Sequence, residues 1–169
     1  KDMQGLKIRT PPDFVNSATV KALGGVSQTI SFTELPMALK QGVVDGQENP
    51  IATILSGKMY ETQKYLSVLN YTYNSTHLLM NKKKFDSLSS SQQKIVIDEA
   101  VKAGLAMQKA VREQEAKQIK ELEKNGMQIA YPDTKPFITA ASPVYDELKT
   151  QVGEADYKYF MDLLEKSRK

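Results

Sequence analysis

Gly5-Leu6-Lys7-Ile8-Arg9-Thr10-Pro11-Pro12, with the residues after it as far as Ser31, is the stretch that decides the fold. Leu6 to Thr10 alternates apolar and polar side chains, the period of a strand, and Pro11-Pro12 closes it because proline has no amide to offer a ladder. Asn16 to Leu23 has the spacing of a short helix and is stopped by Gly24-Gly25. Val26 to Ser31 then reads as a second strand. Strand, helix and strand in immediate succession form the unit from which parallel α/β sheets are built.

Working outward, Ser31-Phe32-Thr33-Glu34 matches a capping box, which predicts a helix through Gln41 with Pro36 in its tolerant first turn. Val43 to Gly46 is a brief apolar segment and a turn, and Asn49-Pro50 has the cap-then-proline order that starts another helix, ending at Gly57. Tyr65 to Tyr73, rich in aromatic and branched residues, predicts a long strand, and His77 to Met80 another. Ser89 with Gln92 and Ser90 with Gln93 are overlapping capping boxes, and apolar residues recur at Ile97, Val101, Leu105, Val111, Ile119 and Leu122 before the stop at Asn125-Gly126. The helix so defined has about 33 residues and a length of roughly 50 Å, more than the width of a small lobe. It is expected to be a spine that touches two lobes, with a solvated coiled-coil arm as the alternative. Met127 to Ala130 reads as a strand, and Lys135 to Thr150 and Ala155 to Lys166 as closing helices.

Composition narrows the chemistry. The chain has 169 residues, 23 basic and 20 acidic, a formal charge of +3, and 40% hydrophobic residues, which is ordinary for a folded domain. With no cysteine and a single histidine, thiolate nucleophiles, cysteine zinc sites and two-histidine metal sites are excluded, and no cofactor is implied. No apolar run approaches the ~20 residues of a membrane-spanning helix, and Lys1 to Thr10 lacks the apolar core of a secretory signal. A first strand with nothing before it to pair with leads us to expect that the numbering begins inside a larger protein. Lys82-Lys83-Lys84 has no interleaved aromatics or glycines, so a solvated turn is the better reading than a nucleic-acid contact. Neither glycine-rich phosphate-binding pattern is present.

The carboxylates Asp98, Glu99, Glu113 and Glu115 fall among lysines on the long helix, where acid–base chemistry is not expected. His77, in an apolar run without a second ligand, reads as a hydrogen-bonded structural residue. A carboxylate-dependent hydrolase has only Asp45 and Glu48 to nominate. Arg9 stands apart, because it ends a buried strand where open α/β sheets hold their ligands, and a planar guanidinium fork suits a carboxylate in two-point contact. A structural ion pair with Asp45 or Glu48 is the competing role. Asn49 is equally readable as a helix cap, and Phe32 as a core residue.

Several segments together resemble the solute-binding proteins of tripartite ATP-independent periplasmic (TRAP) transporters, in their C4-dicarboxylate and sialic-acid branch. Gly5-Leu6-Lys7-Ile8-Arg9 is similar to the family's glycine-lysine-arginine strand, and Phe32-Thr33-Glu34 to its phenylalanine-serine-glutamate segment. Gly42-Val43-Val44-Asp45-Gly46-Gln47-Glu48-Asn49-Pro50 matches its signature almost letter for letter, and Lys58 to Leu66 and Val111-Arg112-Glu113-Gln114 agree as well. The chain departs from the pattern at Tyr71, where many relatives carry histidine, and at Thr10 and Pro12.

The resemblance implies an α/β, periplasmic-binding-protein-like (type II) two-lobe fold, of which this chain is the C-terminal half. Residues 1–74 are then the ligand-binding lobe. Residues 75–124 are a crossover strand and a spine helix against the missing first lobe, and 125–169 return to the second. It implies a non-enzymatic receptor, periplasmic or at the cell surface, with Arg9 clamping a carboxylate, Asn49 hydrogen-bonding the same ligand and Phe32 packing on it. The implied ligand is a small organic acid of the dicarboxylate, keto acid or sialic acid class. The implied partners are ion-gradient-driven TRAP membrane subunits, and no nucleic acid. A fragment that binds nothing and pairs through its exposed edges and long helix is the alternative.

Overall fold

The computed structural model describes residues 2–167. Strand β1 (Lys7–Thr10) lies between β2 (Val26–Thr29) and β3 (Gly46–Gln47), and all three are parallel. Helix α1 (Phe14–Ala22) makes the crossover from β1 to β2. It starts two residues before the predicted position because Asp13, not a later residue, caps it, accepting the Asn16 amide at 2.8 Å. Helices α2 (Leu35–Lys40) and α3 (Ile51–Ser56) come after β2 and β3, and a 3-10 turn covers Met59–Glu61. Gly46 is closely approached: a Cβ there would stand 3.1 Å from the tip of the Ile8 side chain across the ladder, so Ile8 would have to give by a few tenths of an ångström.

A second, two-stranded parallel sheet joins β4 (Tyr65–Ser67) to β5 (Gln128–Ala130), which brings the chain back after the long helix. That helix, placed after the short α4 (Lys82–Asp86), is α5 (Ser90–Lys124), 35 residues long. Its capping box at Ser89 and Gln92 forms as predicted, whereas the Gln93 side chain goes instead to the Phe85 and Leu88 carbonyls. Asn125 and Gly126, the latter at φ +94, end it. Helices α6 (Lys135–Ala141), α7 (Pro143–Val152) and α8 (Glu154–Ser167) close the chain, with α6 and α7 against α1 and α8 against α7.

The core gathers Leu35, Ala38, Val44, Ile54, Met59, Leu122 and Met127, with Leu66 and Ile129 packed against it. It therefore lies between α2, α3, the second sheet and only the last turns of α5. Earlier in α5, Ile97, Val101, Leu105 and Val111 are exposed, as are Leu78 and Leu79 ahead of it.

Several expectations are corrected. The strand from Tyr65 to Tyr73 stops at Ser67, because its partner β5 has only three residues and the last bond of that edge runs from the Val68 amide to the Ala130 carbonyl. His77 to Met80 form no ladder, having no strand beside them among the described residues, and His77 is exposed rather than held in structure. Ser31 does not cap α2. Its hydroxyl donates to the Glu34 carboxylate at 2.7 Å, and the helix starts at Leu35 with no side-chain cap. Asn49 does not cap α3 either, since Pro50 occupies the cap position. The single helix predicted over Lys135 to Thr150 is two, broken at Pro143, whose ring cannot continue the helical bonding.

Candidate functional site

The carboxyl ends of β2, β1 and β3 lie side by side, so the loops leaving the three strands meet at one edge of the sheet. The register pairs Arg9 with Gln28 on one side and Gln47 on the other. Glu48 and Asn49 come directly after β3, Asp13 opens α1 after β1, and Ile30 leaves β2. Parallel pairing thus brings Arg9 and Asn49 to the same edge.

Arg9 is 4% exposed. Its Nε donates to the Ile30 carbonyl at 2.8 Å, which fixes the plane of the guanidinium. Among the described residues no carboxylate lies within ion-pair distance of it. Asp45, one of the two acids nominated for that role, instead accepts the Lys7 amide at 2.8 Å. The outer guanidinium nitrogens have no hydrogen-bond partner in the described chain and are not sealed from solvent. A buried stem with an unspent fork is the arrangement that two-point binding of a carboxylate needs.

The Asn49 side-chain amide donates to Gln47 Oε1, and Gln47 Nε2 donates to Gln63 Oε1 at 3.1 Å. This relay orients the Asn49 amide while leaving its carbonyl oxygen and one hydrogen free. Phe32 is placed differently. It comes two residues after Ile30, but the tip of its half-exposed ring lies against Gly57, 3.6 Å from where a Cβ there would sit.

Three further groups at this edge were not picked out from the sequence as a set. Asp13 and Glu48 both act on Arg9 through their charge, and the Tyr71 hydroxyl approaches Glu48 from the irregular segment after β4. Burial pulls the Arg9 guanidinium below its ordinary value, against the pull of Glu48 and Asp13. Burial and then the Asp13 charge push the Glu48 carboxyl up to about 7, while Arg9 and Tyr71 draw it back. Tyr71 is raised in turn by burial and by Glu48. The one signal for Tyr71 in the sequence was its departure from the relatives' histidine. Among the described residues no three His, Cys, Asp or Glu side chains converge as metal ligands, and no helix is long and apolar enough to cross a membrane. The edge is open: the hollow next to it, bounded by Pro12, Asp13, Ser17, Lys21 and Glu147, lies between α1 and α7 and does not include Arg9.

Residues 1–151 match the model of the DctP family, bacterial extracellular solute-binding protein family 7. The chain belongs to this family. The family consists of solute-binding proteins rather than enzymes, and its characterised members are periplasmic. Over 155 residues the chain is 37% identical to a solute-binding protein of Verminephrobacter eiseniae, covering 91% of this chain and 46% of that one. Over 154 residues it is 33% identical to the sialic acid-binding periplasmic protein SiaP of Vibrio cholerae, covering 91% and 48%. A TRAP periplasmic solute-binding protein from a Polaromonas species, solved with bound D-erythronate, superposes with a TM-score of 0.87 at 36% identity, over 94% of this chain and 52% of that one. The chain therefore spans about half the length of the relatives it matches, and its fold is that of about half of a TRAP solute-binding protein.

Proposed function

We propose that these residues form the clamp-bearing lobe of a receptor that captures a small organic acid and delivers it to the membrane subunits of a TRAP transporter, outside the cytoplasm. Arg9 holds the carboxylate of the guest through its two outer nitrogens. Asn49 hydrogen-bonds the same guest, and Phe32 packs on it when the other lobe closes the open edge. Residues 1–74 carry the clamp, α5 within residues 75–124 is the spine along the other lobe, and 125–169 return to the clamp-bearing lobe. The observation that carries this reading is a nearly buried arginine whose fork has no partner of its own, placed at the strand ends of a family 7 fold.

The test is calorimetry on the complete gene product with a panel of organic acids. Arg9→Ala is expected to cost about 2–5 kcal/mol of binding, the magnitude for removing one partner of a buried charge pair. Unchanged affinity overturns the clamp. The bare apolar face of α5 favours a second reading for the 169-residue chain by itself, in which it pairs with a copy of itself and binds no acid. Light scattering distinguishes the two: a stable dimer, unmoved by every acid, supports pairing, and a monomer stabilised thermally by an acid supports the receptor.

A further inference from the structure

We propose that Asn125-Gly126, at the joint between α5 and β5, is a self-modifying site. Its side-chain amide converts without an enzyme to aspartate and isoaspartate, at a rate set by opening of the last turn of α5 and independent of any guest at Arg9. The chain has six asparagines, and Asn125 alone is followed by glycine. Glycine has no side chain to keep its own nitrogen from the carboxamide carbon before it. Asn49 is excluded because Pro50 has no N–H, and the other four are followed by Ser17, Tyr71, Ser75 and Lys82, whose side chains hinder the approach.

The Gly126 nitrogen attacks Asn125 Cγ and gives up its proton, the side-chain nitrogen leaves as ammonia, and a five-membered succinimide closes. Water then opens the ring. Addition at Cγ breaks its bond to the Gly126 nitrogen and gives aspartate; addition at the main-chain carbonyl carbon leaves Gly126 joined through Cγ, as isoaspartate. Water is the only co-reactant, and nothing is oxidised or reduced. In the folded chain both reacting groups are tied to the last turn of α5: the Gly126 N–H donates to the Glu123 carbonyl at 2.9 Å, and Asn125 Nδ2 to the Glu121 carbonyl at 2.8 Å. Asn125 at φ −82 and Gly126 at φ +94 have the geometry of a helix stop. Nucleophile and leaving group are thus held on two separate carbonyls.

Water has free access, since both residues are exposed and a Cβ at Gly126 would meet nothing within 4 Å. The restraint lies underneath. Leu122 and Met127 are core residues on either side of the pair, and the Met127 amide donates to the Leu122 carbonyl at 3.0 Å. The ring therefore closes only in molecules whose last turn has lifted from the core. The product does not fit back. Asn125 Nδ2 already lies 3.5 Å from a Glu121 carboxylate oxygen, so a carboxylate in its place meets a like charge at the negative end of the helix dipole. Isoaspartate also adds a carbon to the main chain between Leu122 and Met127, displacing β5, whose Gln128 amide donates to the Lys64 carbonyl at 2.8 Å. Conversion is one-way, and the joint records how often this end of α5 opens.

Peptide mass spectrometry on the complete gene product, held warm in mildly alkaline buffer, tests this, because exchange of an amide for a carboxyl raises the mass and the two products separate as isomers. Conversion at Asn125 is expected to be about tenfold or more slower in the folded protein than in urea. Met127→Ala, which hollows the core beneath the turn, is expected to raise the folded rate severalfold. Aged protein is expected to melt a few degrees below fresh protein, while Asn125→Gln, whose longer side chain does not close the five-membered ring, keeps its melting temperature through the same ageing. An Asn125 that stays intact on prolonged incubation in urea overturns the site. Equal rates in the folded protein and in urea overturn the gate, a result that stands even where Met127→Ala fails to fold. Converted protein that melts with the unconverted overturns the structural consequence.

Discussion

Two stretches of this chain use the same vocabulary of leucine, isoleucine, valine and methionine and meet opposite fates. Around α2, the turn after α3 and the last turns of α5, Leu35 and Leu122 are 0% exposed and Met59 1%. Between Leu78 and Val111, apolar residues of the same kinds face water, with Leu79 at 87% and Leu105 at 63%. Apolar periodicity thus specifies that α5 is helical but not what covers it. One end of the helix is held by packing. The rest is held by its backbone ladder, the Ser89 cap and ion pairs such as Lys94–Asp98 and Lys109–Glu113, each worth only a few tenths of a kcal/mol.

The sharpest way to break this contrast is to truncate a leucine at each end of α5 and unfold the 169-residue chain in urea. Leu122→Ala is expected to cost about 2–5 kcal/mol, because it leaves a cavity in the main core. Leu105→Ala is expected to stay within about 0.5 kcal/mol, as exposed substitutions do. Repeating the pair in the complete gene product tests the proposed spine: Leu105→Ala then becomes costly if another lobe covers that face. An equally small effect there counts against the covering lobe.

A smaller effect is expected at the cap. Ser89 and Gln92 satisfy each other's exposed amides at the start of α5, and Ser89→Ala is expected to weaken that terminus by about 1 kcal/mol. Because the first turns of α5 contribute nothing to the core, the loss belongs in local hydrogen exchange, with faster exchange in the first turn and a nearly unchanged melting temperature. A large drop in melting temperature shows instead that both ends of α5 unfold as one unit.

Much of this contrast was legible in the sequence. The strand-helix-strand unit, the long helix with its cap and stop, and the positions of Arg9 and Asn49 at strand ends derive from period, proline and glycine placement. The features that were not legible depended on partners distant in sequence. Tyr65 to Tyr73 has the composition of a long strand, yet strand length is set by the neighbour, and β5 ends at Ala130. His77 to Met80 reads as a strand by the same composition and has nothing to pair with among the described residues. Ser31 and Asn49 carry the right residue types for caps, but each found a nearer partner, Glu34 and Gln47. The cluster of Asp13, Glu48 and Tyr71 around Arg9 was hidden because its members are spread over the chain and meet only through the parallel register. Phe32 is grouped with Arg9 by family resemblance alone, and its half-exposed ring reaches Gly57.

The finest test of the contrast concerns charge rather than packing. Glu48 is the carboxyl at the strand-end edge whose proton is held up to about 7, from an ordinary value of 4.5, mainly by partial burial and the Asp13 charge. In the unfolded chain it titrates at its ordinary value. Between these two values the folded state binds the extra proton, so this group's contribution falls as pH rises through the window and is fully lost above about 7. Glutamine in its place cannot ionise and carries no such dependence. Glu48→Gln is therefore expected to gain melting temperature relative to the unmodified chain on going from about pH 5 to about pH 8, by a modest amount because the site is only partly enclosed. Parallel melting curves across that range show that water reaches Glu48 freely. The strand-end edge is then as solvated as the bare face of α5, and the guanidinium of Arg9 loses the low-dielectric surroundings that make its fork worth a full charge pair.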